Sequence, residues 1–311
     1  MAYTMADAAA FGGYSDFDRA LYKRFTELSP TLSLLPWRQI SGNTDTYTVE
    51  DSLPSSGWRA VNGTTTSTSG TVNKITEELK IIYAQSQLDR FLRITQGTTN
   101  GAVDIQATML DMMAQSVSNT FDQGFWEGDE TVDLNTIAGM RQRITGSQVV
   151  SVTTNGGALT IDLLDQTLDL VPFPNRHIFC NRFTRRKLNT LLRSAGTSIQ
   201  MIMDPNMVGR QVEAYGDVPI HVVERTGDAS SILGFDETSG NSATTCSLYI
   251  LAFGDDLVSG IYAGDTPAGL NVTNFGELQT QPQELSRVEL YVGVEIKHTR
   301  AAARLRSITA A

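Results

Sequence analysis

Cysteine is scarce in this sequence, and its scarcity excludes a disulfide-stapled fold. Only Cys180 and Cys246 occur in 311 residues, whereas secreted domains that lack a large core rely on several disulfides. We therefore expect reduced thiols and a reducing compartment. At 41% hydrophobic content, the chain can bury one large core or two modest ones.

Long apolar runs and a secretory leader are also missing. The longest apolar candidates are short, such as residues 248–253, whereas a bilayer-spanning helix needs roughly 20 residues. Residues 1–13 contain no basic residue ahead of an apolar block, so they do not form a signal peptide. The sequence predicts a protein made inside the cell and without membrane contact.

Acidic residues outnumber basic residues in this sequence. The chain has 24 Lys and Arg against 34 Asp and Glu, a net charge of -10, and no basic residue lies between Arg93 and Arg141. A free nucleic-acid binder usually carries a basic stripe, and an acidic chain repels phosphate on average. The composition therefore argues against a dedicated nucleic-acid-binding domain.

Residues that carry chemistry are few and scattered. His177, His221 and His298 lie far apart, each inside an apolar strand pattern. The H-x-x-C spacing of His177 and Cys180 has no second pair to complete a zinc site. No Gly-x-Ser-x-Gly elbow or Gly-rich phosphate loop is present. The sequence predicts no catalytic residue, no metal and no cofactor.

Two charged runs have an ordinary explanation. Asp255 and Asp256 follow a predicted strand, and two adjacent aspartates there indicate a solvated turn rather than a cation site. The run 185–187 is basic and lies on a predicted helix, where we expect a solvated surface rather than a phosphate site.

The strongest helix signal spans residues 98–127. Apolar side chains recur there at spacings of three and four, with Thr99 or Asn100 as a cap and Gly128 as the end. About 25 helical residues would extend nearly 40 Å. The apolar positions are Val103, Ala107, Leu110, Ala114, Val117, Phe121 and Phe125.

Two segments nearer the N-terminus leave alternatives open. Phe17, Leu21, Phe25 and Leu28 predict a short amphipathic helix that docks either on its own core or on a neighbouring copy. Residues 41–80 predict a long hairpin with a Ser/Thr-rich tip, which lies either on its own domain or on another, because two isolated strands are marginally stable.

The remaining chain mixes helices and strands, which indicates an α+β fold. A final strand alternates apolar and polar residues from Val288 to Lys297, so its polar row is expected to face solvent. Helices are predicted at 161–170 and 182–193, and further strands at 176–180, 212–215, 220–223, 245–253 and 258–262.

The order of these segments, together with four C-terminal strings, resembles a known family. The strings are residues 248–255, 258–261, 275–278 and 292–305, in that order. They are similar to the pattern of the major capsid protein of tailed bacteriophages, whose Hong Kong 97-type capsid fold is shared with encapsulins. The resemblance extends from about Phe17 to Ile308.

The resemblance implies a division of the chain. Its parts would be an N-terminal arm at 1–40, an extended β-hairpin loop at 41–80, a peripheral domain at 81–150 with a long spine helix at 98–127, an axial domain at 151–265, and a return strand of the peripheral domain at 266–311.

The resemblance also implies a function. The chain would be a structural, non-enzymatic subunit that forms pentamers and hexamers in an icosahedral shell around double-stranded DNA, which it touches weakly and without sequence specificity. It would be assembled in the host cytoplasm and reside in the virion. Because the chain starts almost at the arm, a scaffolding protein would be separate, as would portal and decoration proteins.

Inter-subunit contacts are expected at four aromatic or cationic residues. Trp58 with Arg59 forms the strong anchor group of the hairpin, and Phe17 with Phe25 lies on the arm helix. Some relatives cross-link a hairpin lysine to an asparagine of a neighbour. Lys74 lies near the base of the hairpin, so we do not carry this chemistry over.

Two alternatives accompany the capsid hypothesis. An encapsulin-like compartment would have the same fold but hold a protein cargo, so that particle size and packaged DNA distinguish the two. A soluble α/β hydrolytic enzyme would instead form a small oligomer with a pocket of convergent polar groups.

Overall fold

Two β-sheets share a long helix that packs against both of them. The computed structural model describes residues 29–90, 105–196, 200–203, 211–227, 230–264 and 270–310. The predicted arm helix, with Phe17 and Phe25, and the first residues of the predicted 98–127 helix lie outside these ranges.

The described helices occupy both halves of the chain. They are α1 (Pro30–Leu34), α2 (Ile105–Glu127), α3 (Met140–Arg143), α4 (Ile161–Asp169) and α5 (Arg182–Ser194).

The described strands follow in chain order. They are β1 (Trp37–Gln39), β2 (Thr44–Ser52), β3 (Thr71–Glu78), β4 (Lys80–Asp89), β5 (Val149–Ser151), β6 (Arg176–Cys180), β7 (Gln200–Met203), β8 (Gln211–Tyr215), β9 (Val218–Val222), β10 (Glu237–Ser239), β11 (Ser242–Ala252), β12 (Val258–Tyr262), β13 (Leu270–Glu277), β14 (Gln283–Ile296) and β15 (Ala302–Thr309).

The first sheet is organised around β14. One edge of β14 pairs with β4 over ten residues in antiparallel register, and the other edge pairs with β13 and then β12. Strand β1 adds to β12 in parallel. The predicted apolar row of β14 is buried as far as Val294, so the period-two pattern identified the inward face correctly.

The second sheet has the order β5-β15-β11-β6-β9-β8-β7, with β10 beside β11. Strand β11 is central and covered on both faces. Tyr249 and Leu251 belong to the core that contains α2, whereas Leu248 and Ile250 belong to a second core. Two-sided burial explains why this strand reads as an uninterrupted apolar run.

Helix α2 buries most of its circumference. From residue 108 onward the exposed residues, Thr108, Met112, Ser116, Thr120 and Gln123, recur every three or four positions and form one narrow stripe. The buried faces carry Phe121, Phe125 and Trp126, which continue an aromatic chain from Trp37 to Tyr249. The predicted core helix is therefore present, and both sheets pack on it.

Glycine allows α2 to end against a crossing loop. Gly128 N donates to Gly124 O, and Gly139 N donates to Gly128 O, both at 2.9 Å. A Cβ atom on Gly128 would lie 2.2 Å from the carbonyl oxygen of Ile137. Only glycine permits this approach, which explains why the helix ends where the sequence predicts.

The second core lies on the face of the second sheet opposite α2. Leu164 and Leu168 of α4 and Leu188 and Leu192 of α5 pack there against the sheet. Side chains cap both helices: Thr160 Oγ1 accepts from Leu163 N, and Asn181 Oδ1 accepts from Thr184 N.

The sheets do not follow the predicted domain bounds at two places. Strand β12 lies in the first sheet although the predicted axial domain runs to residue 265, and β15 lies in the second sheet although it falls in the predicted return segment. The division into arm, hairpin, peripheral and axial parts stays a prediction. The difference arises because the chain crosses between the sheets after β11 and again after β14.

A buried carboxyl group ties α2 to the segment before α1. Ser29 Oγ donates to Asp122 Oδ1 at 2.7 Å, and Trp126 Nε1 donates to Thr31 Oγ1 at 3.3 Å. Desolvation raises the pKa of Asp122 to about 7 from its ordinary 3.8, although the hydrogen bonds from Ser29 and Thr31 act in the opposite direction. This group therefore titrates near neutral pH.

The first prediction compares a buried residue of α2 with an exposed one. Leu110 is 4% exposed and Met112, two residues later, is 64% exposed. Leu110→Asp places an unpaired charge in the core and should cost several kcal/mol, whereas Met112→Asp should change stability by less than about 0.5 kcal/mol. Thermal unfolding and soluble yield of the two variants check this. Equal behaviour of the pair would show that the buried face is misassigned.

The second prediction concerns pH. Because the folded-state pKa of Asp122 is raised, its contribution to stability is complete below about pH 4 and is lost as the pH rises through about 7. Asp122→Asn keeps an oxygen acceptor for Ser29 but does not titrate. We expect its unfolding free energy to fall less between pH 4 and 8 than that of the wild type, as measured by urea denaturation.

Exposed Asp256 provides the control for this experiment. Asp256→Asn makes the same substitution at an exposed position and serves as the matched variant. A wild-type pH profile in Asp122→Asn would contradict the assignment.

Candidate functional site: an exposed hairpin on a charged base

The hairpin predicted at 41–80 forms a separate two-stranded sheet. Strands β2 and β3 pair over eight residues, from Thr44 opposite Glu78 to Ser52 opposite Thr71. Beyond this ladder, residues 53–70 are exposed throughout. Within the tip, Ser55 and Thr68 hydrogen-bond across the two arms, and Gly63 N donates to Ala60 O.

The tip presents large apolar side chains to solvent. Trp58 is fully exposed, Val61 is 92% exposed and Leu53 is 79% exposed. Arg59 donates to the carbonyl oxygen of Gly63 at 3.3 Å, and no carboxylate of the described residues pairs with it. Exposed apolar groups beside a free cation are typical of a contact surface.

The base of the hairpin is held by a bidentate ion pair that is largely shielded from solvent. Arg143 of α3 donates from Nη1 and Nη2 to the two oxygens of Glu77, at 2.5 and 2.7 Å, and both side chains are 14% exposed. Tyr47 OH accepts from Ile296 N at 3.3 Å and donates to Glu77 at 3.5 Å. Burial, followed by the charge of Glu77, raises the pKa of Tyr47 to about 12.

A second cluster joins the hairpin to β14. Arg38 Nη2 contacts Asp45 and lies 3.1 and 3.2 Å from the two oxygens of Glu295, and Lys297 Nζ is 3.5 Å from Glu295. Hydrogen bonds with Glu295 and Arg38 lower the pKa of Asp45, whereas desolvation raises that of Glu295. Asp45 therefore carries the negative charge more readily than Glu295.

Glu295 corrects one expectation from the sequence. It belongs to the polar row of the closing strand, which the alternation predicted to face solvent, yet its side chain is fully buried. The hairpin base and Arg38 cover this end of β14 and supply charged partners. Local periodicity gave no sign of this cover, because the covering residues come from positions about 250 residues away.

A third contact attaches the loop after α2. Lys80 Nζ lies 3.0 Å from Glu130 Oε1 and 2.7 Å from the carbonyl oxygen of Leu134. Together with the two clusters, it connects the hairpin base to three separate parts of the body. The described hairpin thus has a firmly held base and an unsupported tip.

The histidines do not all lie where the sequence placed them. His177 and His221 are far apart in sequence, but the adjacent parallel strands β6 and β9 bring His177 Nδ1 within 3.0 Å of His221 Nε2. Both rings are buried among Phe179 and Phe253. The two histidines are therefore distant in sequence but adjacent in the fold, which the sequence did not predict, because strand pairing is not visible in a local pattern.

His298 also differs from the prediction. It follows β14 rather than lying inside a strand, and its Nδ1 accepts from Arg300 N at 3.0 Å as the cap of a short 3-10 turn.

The H-x-x-C spacing does not form a joint site. His177 faces the aromatic core, whereas Cys180 belongs to the second core, since positions three apart on a strand point to opposite faces. Burial raises the pKa of Cys180 to about 12 and that of Cys246 to about 11, so both thiols are poor nucleophiles. Among the described residues no group of three or more His, Cys, Asp or Glu is arranged to hold a metal.

The remaining candidates are on the surface. Asp255 and Asp256 are exposed, and the basic run 185–187 lies on α5, where Arg185 is 3.8 Å from Glu213. No helix in the described part of the chain is both long enough and apolar enough to cross a membrane.

A family model matches part of the sequence, and solved structures match the fold. A family model described as major capsid protein GP7 matches residues 23–163. No curated protein matches the sequence significantly. Three of the similar solved structures are shell proteins or phage proteins, and each resembles this chain over most of its length.

The holo-SrpI encapsulin complex of Synechococcus elongatus PCC 7942 has a TM-score of 0.64 at 14% identity, covering 100% of this chain and 97% of the encapsulin. The capsid of a native GTA particle has a TM-score of 0.62 at 14% identity and covers 90% of both chains. Microbacterium phage Oxtober96 has a TM-score of 0.60 at 17% identity and covers 98% of both.

These solved structures share their fold with this chain. The predicted α+β, Hong Kong 97-type capsid fold is confirmed by the structural likeness. The match of the family model to residues 23–163 confirms the resemblance to phage major capsid proteins over this part of the chain.

The ion pair at the hairpin base provides the third prediction. Arg143→Ala leaves Glu77 buried without its partner and should cost about 3–5 kcal/mol. Arg141→Ala, on the same short helix α3, removes a guanidinium that does not pair with Glu77 and should cost less than about 1 kcal/mol. Chemical denaturation of the subunit measures both. A similar loss in the two variants would show that the ion pair does not hold the base.

Proposed function

We propose that the protein is the subunit of an icosahedral bacteriophage shell, assembled from pentamers and hexamers around double-stranded DNA. The observation that carries this proposal is the shell-protein fold over the length of the chain, combined with the capsid family match. The chain then acts as a structural protein without a catalytic step, assembled in the host cytoplasm and retained in the virion.

The hairpin supports a role between subunits. Its base is fastened by ion pairs, whereas its tip exposes Trp58 and carries Arg59 without an ion-pair partner among the described residues. In a shell, an adjacent subunit would cover the tryptophan and supply a carboxylate for the arginine fork. Phe17 and Phe25 of the arm are proposed as further contacts of the same kind.

Other partners follow from the same proposal. Scaffolding, portal and decoration proteins are proposed as further partners, and packaged DNA would meet the inner surface by weak, non-specific contact. The net charge of -10 supports this arrangement, since a container should hold its genome without binding it tightly.

A second candidate is an encapsulin-like compartment with a protein cargo, which the likeness to the encapsulin complex supports. Sedimentation and negative-stain imaging of the purified protein test both, since each predicts giant closed particles. Nuclease-resistant DNA inside particles from infected cells supports the phage shell. A DNA-free particle with a protein cargo supports the compartment, and a small soluble oligomer contradicts both.

The fourth prediction removes only the unsupported tip. Replacing residues 53–70 by Asn-Gly joins Ser52 to Thr71, where the ladder ends, through a turn suited to hairpins. The base contacts remain, so the subunit should keep its melting temperature within about 2 °C. It should not form closed shells. Circular dichroism measures the fold, and sedimentation velocity measures the assembly.

Single substitutions refine the same test. Trp58→Ala should weaken assembly without changing the melting temperature. Val132→Ala truncates an equally exposed apolar residue outside the hairpin, 83% exposed, and serves as the control for loss of apolar surface. Normal shells from the tip deletion, or unfolding of its subunit, would refute the inter-subunit role.

A further inference from the structure

Helix α5 concentrates positive charge in an acidic protein. Its 13 residues include Arg182, Arg185, Arg186, Lys187 and Arg193 and no acidic residue, whereas the whole chain has a net charge of -10. Such local enrichment is not needed for the fold, because the face of α5 that packs on the second sheet uses other residues.

Three of these arginines form one exposed stripe. The exposed positions of α5 before its last residue are Arg182, Arg186, Thr190 and Arg193, and their spacings of four, four and three place them on one face. The opposite face buries Leu188 and Leu192 in the second core. Packing therefore fixes the orientation of this surface, which we call the arginine stripe (Arg182, Arg186 and Arg193).

The charges of the stripe are only partly neutralised. Arg182 donates to Glu224 Oε2 at 2.5 Å, and Arg186 lies over the ring of Phe183 at 5.1 Å. Within the described ranges no carboxylate forms an ion pair with Arg186 or Arg193. Arg185, which is not part of the stripe, lies 3.8 Å from Glu213.

The dimensions of the stripe suit a regular row of anions. Eleven residues separate Arg182 from Arg193, which is roughly 16 Å along the helix axis. Since double-stranded DNA rises about 3.4 Å per base pair, the stripe spans about five base pairs. Guanidinium groups bind phosphate oxygens through two hydrogen bonds at once, so a few such contacts need no base recognition.

We propose that the arginine stripe of α5 contacts the phosphate backbone of packaged double-stranded DNA. This inference rests on the proposed shell function and names the surface at which the genome is met. An acidic protein is the less suitable partner, because protein interfaces have an apolar centre and no large hydrophobic residue of α5 is strongly exposed. Three contacts in an acidic subunit give weak, non-specific attachment rather than tight binding.

The test uses the two arginines that form no ion pair with the described residues. Arg186→Gln with Arg193→Gln removes two positive charges, keeps the Arg182–Glu224 pair and substitutes a residue of similar helix propensity. Lys74→Gln with Arg300→Gln removes the same charge from exposed positions on other elements. Circular dichroism melting confirms that both double variants are folded.

Binding of a fluorescent 20-base-pair duplex to the full-length subunit is then measured by anisotropy between 50 and 200 mM salt. Two lost phosphate contacts should make the slope of log K against log salt shallower by about 1.8. The wild type and the control should therefore lose about 12-fold more affinity than the stripe variant over this range.

Three outcomes overturn the inference. The first is that the wild type does not bind the duplex at 50 mM salt, and the second is that both double variants give equal slopes. The third is stripe-dependent binding of a poly-glutamate peptide without binding of the duplex, which indicates an acidic protein partner. Sedimentation velocity of the same samples reports shell formation independently. Closed shells without stripe-dependent duplex binding refute this inference alone, whereas absence of shells in the wild type refutes the proposed function.

Discussion

Burial of α2 on both sides is the interaction on which the rest of the structure depends. Its aromatic residues Phe121, Phe125 and Trp126 contact Trp37 of the first sheet and Tyr249 of the second, so each sheet covers apolar surface that the other leaves open. Removing this surface from water supplies the main driving force for packing. The helix can therefore expose only one residue in four, and the buried Asp122 must be matched by Ser29 from the preceding segment.

The base and the tip of the hairpin differ in their exposure to solvent and in the number of contacts that hold them. At its base, Glu295 is buried and Glu77 is largely shielded from solvent. Arg143 reaches both oxygens of Glu77 through Nη1 and Nη2, whereas Arg38 reaches both oxygens of Glu295 through Nη2 alone. Such pairs are costly to break and specific in geometry. At its tip, the polar chain makes few contacts and carries Trp58 in full exposure. The proposed role between shell subunits would use this combination, because a contact element must project at a defined angle and yet remain free until a neighbour arrives.

Charge is distributed in a similarly uneven way. An excess of ten negative charges opposes strong attraction of a polyanion, whereas α5 gathers five cations on 13 residues. Because electrostatic contacts act over about a Debye length, roughly 8–10 Å in physiological salt, a local stripe can meet phosphate even when the whole subunit is acidic. Net charge therefore excludes tight nucleic-acid binding but does not describe each surface.

Local periodicity was sufficient to predict four elements, because each depends on spacings of two to four residues. They are the long helix up to Gly128, the strand near residues 245–253 that is buried on both faces, the alternating strand before Ile296 and the hairpin ladder. The ordered C-terminal strings were sufficient for the fold. Tertiary structure alone decided that His177 contacts His221 and that Glu295 is buried. It also decided that β12 belongs to the first sheet and β15 to the second. Each of these depends on groups that are distant in sequence, and a residue's burial is set by whatever covers it. Pairing between strands is a long-range contact that a period within one strand does not encode.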